Sequence, residues 1–137
     1  EMTSNDGGET WTPPRPSSFK SPNSPLSLKR IPGTDRLLAV WNDHSGRFPF
    51  PADHSLYGGR TPLVSAVSRD EGRTWAGFRV VEDDPRAGYC YTAMGFVGKY
   101  AFLAYWMAES KDGATGTRLR LRRIALDWFA PPDALFP

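Results

Sequence analysis

Two kinds of side chain in this sequence could act directly on a substrate: an arginine beside a glycine pair, and tyrosines in an apolar strand. Arg60 follows Gly58-Gly59 and comes just before the apolar run 61–68. Its guanidinium is planar, is always charged and offers paired donors that match a carboxylate. Tyr89 and Tyr91 are phenols, which need a neighbouring base to become nucleophiles. The alternatives are a solvent-facing arginine at a strand start and ordinary strand aromatics.

Three more polar residues follow strand-like segments. Asp43 and His44 come directly after an apolar run and open a long loop, and Glu109 follows a dense aromatic segment. All three could line a pocket, although Asp43 and His44 also suit the capping of a loop. The histidines His44 and His54 are too few, and too poorly spaced with other ligands, for a zinc site. We therefore expect no metal, and these residues imply no organic cofactor.

The charge distribution argues against some partners. The 137 residues include 17 Lys and Arg against 15 Asp and Glu, a net charge of +2, with the two signs interspersed. Arg118, Arg120 and Arg122 alternate with leucines, which fits a strand with one solvated face better than a phosphate-binding stripe. We expect no nucleic-acid partner. No apolar run approaches membrane length, so we expect no membrane partner. The single cysteine, Cys90, excludes an internal disulfide.

The elements that must position these residues are organised by an octet that occurs twice, Ser-x-Asp-x-Gly-x-Thr-Trp. An Asp in such a turn accepts hydrogen bonds from backbone N–H groups further on, and Gly supplies a backbone angle that other residues resist. The Trp ring can then pack on the neighbouring sheet. Two copies indicate an internal repeat of hairpin turns. The pattern residues are Ser4, Asp6, Gly8, Thr10 and Trp11 in the first octet and Ser68, Asp70, Gly72, Thr74 and Trp75 in the second.

The remaining sequence predicts an all-β protein. Helical periodicity is hard to find, whereas short apolar or alternating runs bounded by turn residues recur. Exposed edges and unshared faces of such sheets are a liability, so self-association to cover them is an expectation. The predicted strands are 24–31, 36–42, 61–67, 77–82, 89–97, 100–107 and 118–128, with turns at 32–35 and 109–116.

The octet resembles the Asp-box, or bacterial neuraminidase repeat, of the sialidase-like β-propellers. In that family each box lies on the turn between the third and fourth strands of a blade, on the rim and away from the catalytic pocket. The resemblance implies four-stranded antiparallel blades, about two to three of a six-bladed propeller, from its C-terminal portion. On this interpretation 1–20 end one blade, 21–84 form a full blade, 85–130 form the last blade and 131–137 are a tail.

The same resemblance implies functional roles. An arginine placed like Arg60, shortly before the strand that enters a box, is the third of a triad that grips the sugar carboxylate. The segment 89–94 is similar to the nucleophile strand, in which a tyrosine precedes small residues and an aliphatic one. We prefer Tyr91 over Tyr89 as the nucleophile, because Met94 then takes the aliphatic position. The implied activity is retaining hydrolysis of terminal sialic acids on a glycan substrate. The other substrate-binding candidates are Asp43, His44 and Glu109.

Other catalytic parts of the family have no counterpart that we can assign here. Two arginines of the triad, the general acid and the activating glutamate belong to upstream blades in the family, so we expect this chain alone to be inactive. Because a fold hosts many functions, two alternatives stay open. The first is another carbohydrate-active enzyme or lyase on the same propeller, and the second is a non-catalytic repeat module that binds glycans or partners.

Overall fold

Antiparallel strands make up almost all of the regular structure. The computed structural model describes residues 1–50, 59–111 and 114–129. The all-β prediction is confirmed, and no helix within those ranges is long and apolar enough to cross a membrane. The strands are β1 Ser27–Arg30, β2 Leu37–Asn42, β3 Leu63–Ser68, β4 Ala76–Glu82, β5 Ala87–Val97, β6 Tyr100–Lys111 and β7 Ala114–Ala125, followed by a 3-10 helix, Leu126–Phe129.

The strands form two sheets in chain order. The first sheet has four strands, β1-β2-β3-β4, and the second has three, β5-β6-β7. Every neighbouring pair is antiparallel, and the turn between β3 and β4 is the second octet. Consecutive open antiparallel sheets of this kind are consistent with partial propeller blades.

The main core lies between the two sheets. Val40 and Leu63 of the first sheet pack in one cluster with Leu103 and Tyr105 of the second, and each is at most 1% exposed. A second cluster covers the opposite face of the first sheet, where Trp41 is 2% exposed. Strand β2 is therefore buried on both faces, as its continuous apolar run predicts.

The second sheet is longer than the sequence predicts. The turn expected over 109–116 is wrong in extent, because β6 runs to Lys111 and β7 begins at Ala114. Cross-strand pairing continues as far as Lys111 opposite Ala114. This pairing satisfies backbone groups that an irregular turn would leave to solvent. Strand β7 ends at Ala125, so the predicted end of the strand at 126–128 is 3-10 helix.

Strand β7 is exposed on both faces over 118–123, although its alternation predicts one solvated face. Leu119 and Leu121 are 78% and 64% exposed, whereas two of the alternating arginines turn toward the first sheet. Nη1 of Arg120 lies 2.9 Å from Oε2 of Glu82, and Nη1 of Arg122 lies 3.3 Å from its Oε1. The cause is the Glu82 carboxylate between the sheets, since a nearly buried charge needs partners of opposite sign.

Both octets close through the same hydrogen bonds. In the second, the Ser68 hydroxyl donates to Asp70 at 2.8 Å and accepts from the Gly72 N–H at 2.9 Å. The N–H and hydroxyl of Thr74 donate to Asp70 at 2.8 and 2.6 Å. The four equivalent distances in the first octet are 2.7, 2.8, 3.0 and 2.5 Å. Hydrogen bonds from the Thr74 side chain and backbone lower the pKa of Asp70 to about 2.

The glycine at the fifth position of each octet has a left-handed backbone. The φ angle is +99° at Gly8 and +81° at Gly72, where an L side chain is strained. The tryptophans differ in surroundings: the ring of Trp75 lies 5.1 Å from that of Phe19, while Trp11 is 56% exposed. The expected packing of the tryptophan on a sheet therefore holds for the second octet, and the turn shape does not depend on it.

Candidate functional site

One end of the two sheets brings together the strand termini that carry the candidate residues. At this end β2 passes into Asp43, and Arg60 stands just before β3. Strand β5 begins here at Ala87, directly opposite Glu109 of β6. The second octet, 68–75, lies at the other end of β3. The octet and the candidate site are therefore separated by the length of this strand.

A β-bulge in β5 sets the position of Tyr91. The register with β6 passes from Cys90 opposite Trp106 to Ala93 opposite Ala104. Two residues of β5, Tyr91 and the one after it, therefore face a single residue of β6. The φ angle of Tyr91 is +57°, a left-handed conformation that is rare outside glycine. Bulges of this kind re-aim a side chain and recur next to active sites.

The bulge separates two tyrosines that a regular strand would keep on one face. Residues i and i+2 of a strand point the same way, yet Tyr89 is 1% exposed and Tyr91 is 60% exposed. Tyr89 packs edge-on against Tyr105, with 6.1 Å between ring centroids. Burial, followed by the charge of Glu82, raises the pKa of Tyr89 to about 12. Of the two candidate phenols, Tyr91 is the one that a substrate can reach.

Arg60 lies beside this exposed phenol. Its guanidinium carbon is 5.3 Å from the centroid of the Tyr91 ring. One terminal nitrogen, Nη2, donates to the carbonyl of Asn23 at 3.2 Å, and the other, Nη1, donates to Sγ of Cys90 at 3.4 Å. The backbone carbonyl of Arg60 accepts from the N–H of Tyr89 at 2.7 Å. Each Nη carries a second N–H, so the fixed guanidinium can still donate to a ligand.

The thiol of Cys90 accepts a hydrogen bond from Arg60. Its side chain is buried, and this burial raises the pKa of the thiol, so the neutral form is favoured. Among the described residues, no group of three or more His, Cys, Asp and Glu side chains is placed to hold a metal ion.

Asp43 and His44 make hydrogen bonds to described residues between β2 and Arg60. The Asp43 carboxylate is 2% exposed and accepts from the N–H and hydroxyl of Ser45 and from Arg47 at 3.2 Å. The Nε2 of His44 lies 2.7 Å from the carbonyl of Gly59, the residue before Arg60. The geometry of Asp43 favours the capping role, and His44 contacts the backbone that carries the arginine.

Two carboxylates, Glu82 and Glu109, pair with arginines of β7. Glu109, which the sequence predicts to follow the strand, lies within β6, and its Oε2 is 3.5 Å from Nη1 of Arg118. Glu82, which the sequence analysis did not single out, accepts from the buried hydroxyl of Tyr105 as well as from β7. Nothing in the run Glu82-Asp83-Asp84 distinguishes the buried carboxylate from two neighbouring acids, so only the fold reveals it.

The comparison with family models identifies the architecture. A model described as a BNR repeat-like domain matches residues 1–99, most of the chain. The chain belongs to the BNR repeat-like family. The matched region contains both octets, Arg60 and the bulge at Tyr91, so the family assignment and the candidate site rest on the same part of the BNR repeat-like chain. It also confirms the resemblance to the sialidase-like superfamily. Neither the curated proteins nor the solved structures contain a significant match to it.

Proposed function

We propose that this BNR repeat-like chain supplies part of the active site of an exo-α-sialidase, a retaining glycoside hydrolase that removes terminal sialic acids. Tyr91 is the nucleophile and Arg60 binds the carboxylate of the sugar. One observation carries the proposal. A bulge holds the exposed ring of Tyr91 with its centroid 5.3 Å from the guanidinium carbon of Arg60, and this guanidinium is itself fixed by Asn23 and Cys90.

The chemistry of the substrate suits this pair. The anomeric carbon of a sialic acid bears a carboxylate, which would repel a carboxylate nucleophile, and a neutral phenol avoids that repulsion. The guanidinium of Arg60 would bind the carboxylate and hold the anomeric carbon near the Tyr91 oxygen. A base takes the phenolic proton as the C–O bond to Tyr91 forms, and an acid protonates the departing aglycone. Water then displaces Tyr91, and the configuration is retained. We assign the base and the acid to other parts of the propeller.

The nucleophile is tested in the full-length protein with a fluorogenic sialoside. Tyr91→Phe removes only the phenolic oxygen, so turnover should collapse while binding of the sugar is kept. Tyr100→Phe is the matched control, because it removes a phenol from the opposite end of the neighbouring strand β6. Unchanged turnover in Tyr91→Phe would remove this residue from the mechanism.

The role of Arg60 in binding the sugar carboxylate is tested by measuring the affinity for sialic acid in a nuclear magnetic resonance titration. Arg60→Ala deletes a charge-assisted pair, and we expect binding to weaken by roughly 2 kcal/mol, the lower end for desolvated pairs, because Arg60 is only half-buried. Arg86→Ala is the control, since Arg86 lies just before β5 and its side chain is 81% exposed. A loss below about 0.5 kcal/mol in Arg60→Ala would make it a surface residue.

A second candidate is a glycan-binding module without catalysis. Among the described residues, no carboxylate accepts a hydrogen bond from the Tyr91 phenol, in contrast to the Glu82–Tyr105 pair. A phenol without such a base favours binding without catalysis. This candidate predicts that the full-length protein binds a sialoside through Arg60 but does not hydrolyse it. A different carboxylate-bearing sugar would use the same arginine, and competition between sialic acid and a uronic acid separates the two.

A further inference from the structure

The exposed position of Tyr91 depends on a backbone that must be held by its surroundings. A left-handed φ of +57° is disfavoured for a residue with a large side chain. The register with β6 offers Tyr91 and Thr92 no Cα partners of their own, so the regular ladder is interrupted at this point. Thr92 is nevertheless 9% exposed, so its backbone carbonyl needs a hydrogen-bond donor from elsewhere.

That donor comes from the first sheet. The hydroxyl of Ser27, the first residue of β1, donates to the carbonyl of Thr92. Two residues further along β1, the Nζ of Lys29 donates to the carbonyl of Met94 at 2.9 Å. The β5–β6 register is regular again at Met94. Lys29 therefore links β1 to β5, as Ser27 does, but it does not contact the bulge.

We propose that Ser27 is a positioning residue for the candidate site: its hydrogen bond to the Thr92 carbonyl holds the bulge that presents Tyr91 beside Arg60. The inference rests on the proposed function only in taking Tyr91 as the reacting residue. Ser27 itself touches the backbone and acts through Tyr91.

The position of Tyr91 is read by nuclear magnetic resonance on the chain, free of any ligand. Ser27→Ala should shift the Tyr91 backbone signals away from left-handed values and abolish the nuclear Overhauser contact between the Tyr91 ring and the Arg60 side chain. Ser27→Thr keeps the hydroxyl and should preserve both signals. Lys29→Met removes the neighbouring link between β1 and β5, and it should leave Tyr91 unchanged.

The consequence for activity is measured in the full-length protein. A missing hydrogen bond should lower kcat for a fluorogenic sialoside about fivefold in Ser27→Ala, with recovery in Ser27→Thr and no change in Lys29→Met. If the wild-type protein shows no turnover, the proposed function fails, and the resonance measurements still decide the role of Ser27.

Two results would overturn the inference. The first is a Tyr91–Arg60 contact that persists in Ser27→Ala, and the second is an equal disturbance of Tyr91 in Lys29→Met, which would show a general effect of loosening the sheets. If Ser27→Ala does not fold, Ser27→Cys takes its place with the same outcomes, because a thiol is only a weak donor.

Discussion

The contact between the two sheets can be tested at Glu82. Its carboxylate is 11% exposed and accepts hydrogen bonds from the buried Tyr105 hydroxyl and from Arg120, while Arg122 lies 3.3 Å away. Burial, and then the bond to Glu82, raises the pKa of Tyr105, so its phenol stays protonated and donates. Glu82→Ala removes the acceptor that β6 and β7 share.

The size of the effect follows from what the substitution leaves behind. The Tyr105 residue is 0% exposed, and a buried hydroxyl without a partner costs about 1–3 kcal/mol. The Arg120 and Arg122 side chains are 43% and 45% exposed, so together they add no more than about 1 kcal/mol. We expect Glu82→Ala to lower the free energy of unfolding by about 2–3 kcal/mol. Glu82→Gln keeps an acceptor for Tyr105 and should cost about 1 kcal/mol.

Urea denaturation followed by tryptophan fluorescence measures these differences. Glu71→Ala is the matched control, because it breaks another Glu–Arg pair of the first sheet whose side chains are 65% and 46% exposed, worth at most about 0.5 kcal/mol. Adding Tyr105→Phe to Glu82→Ala removes the orphaned hydroxyl, so the double variant should lose less than the sum of the single ones. A Glu82→Ala loss no larger than that of Glu71→Ala would refute the reasoning.

Three further predictions concern the octet and β7. The lowered pKa of Asp70 contributes stability that is present above its ordinary value of 3.8 and is lost as pH falls through about 2; thermal melts from pH 5 to 2 should show this loss diminished in Asp70→Asn. Gly72→Ala should cost about 1–2 kcal/mol in urea denaturation because of its positive φ, whereas Gly95→Ala, in open space, should cost little. Leu119→Ser should change stability by less than about 0.5 kcal/mol, and a larger loss would reveal a surface that covers β7.

The fold could be predicted because its signals are local. An octet that recurs with the same residue types fixes a turn through contacts within eight residues, and strands such as β2 show their burial in a continuous apolar run. The sequence does not locate the turn near 109–116, because small and polar residues there are compatible with a loop and with a long hairpin. Cross-strand pairing, which decides between them, is not a property of one segment.

The site could be predicted only in part. The resemblance predicts Arg60 and Tyr91 as site residues, and the structure places them side by side. Alternation in β7 separates arginines from leucines without saying which face is covered, since that depends on Glu82 of another sheet. The sequence does not predict the bulge, because Tyr89 and Tyr91 alternate as residues of a regular strand do.

Two of the left-handed positions, Gly72 and Tyr91, differ in what holds them. In the second octet the N–H of Gly72 donates to Ser68 and the N–H of Thr74 donates to Asp70, and the first octet adopts the same shape although Trp11 is 56% exposed. Tyr91, in contrast, depends on a donor from β1, so its position requires that the sheets stay packed. Loosening the sheets at Glu82 should therefore displace Tyr91 before it disturbs either octet, and ligand binding should be lost before the turns unfold.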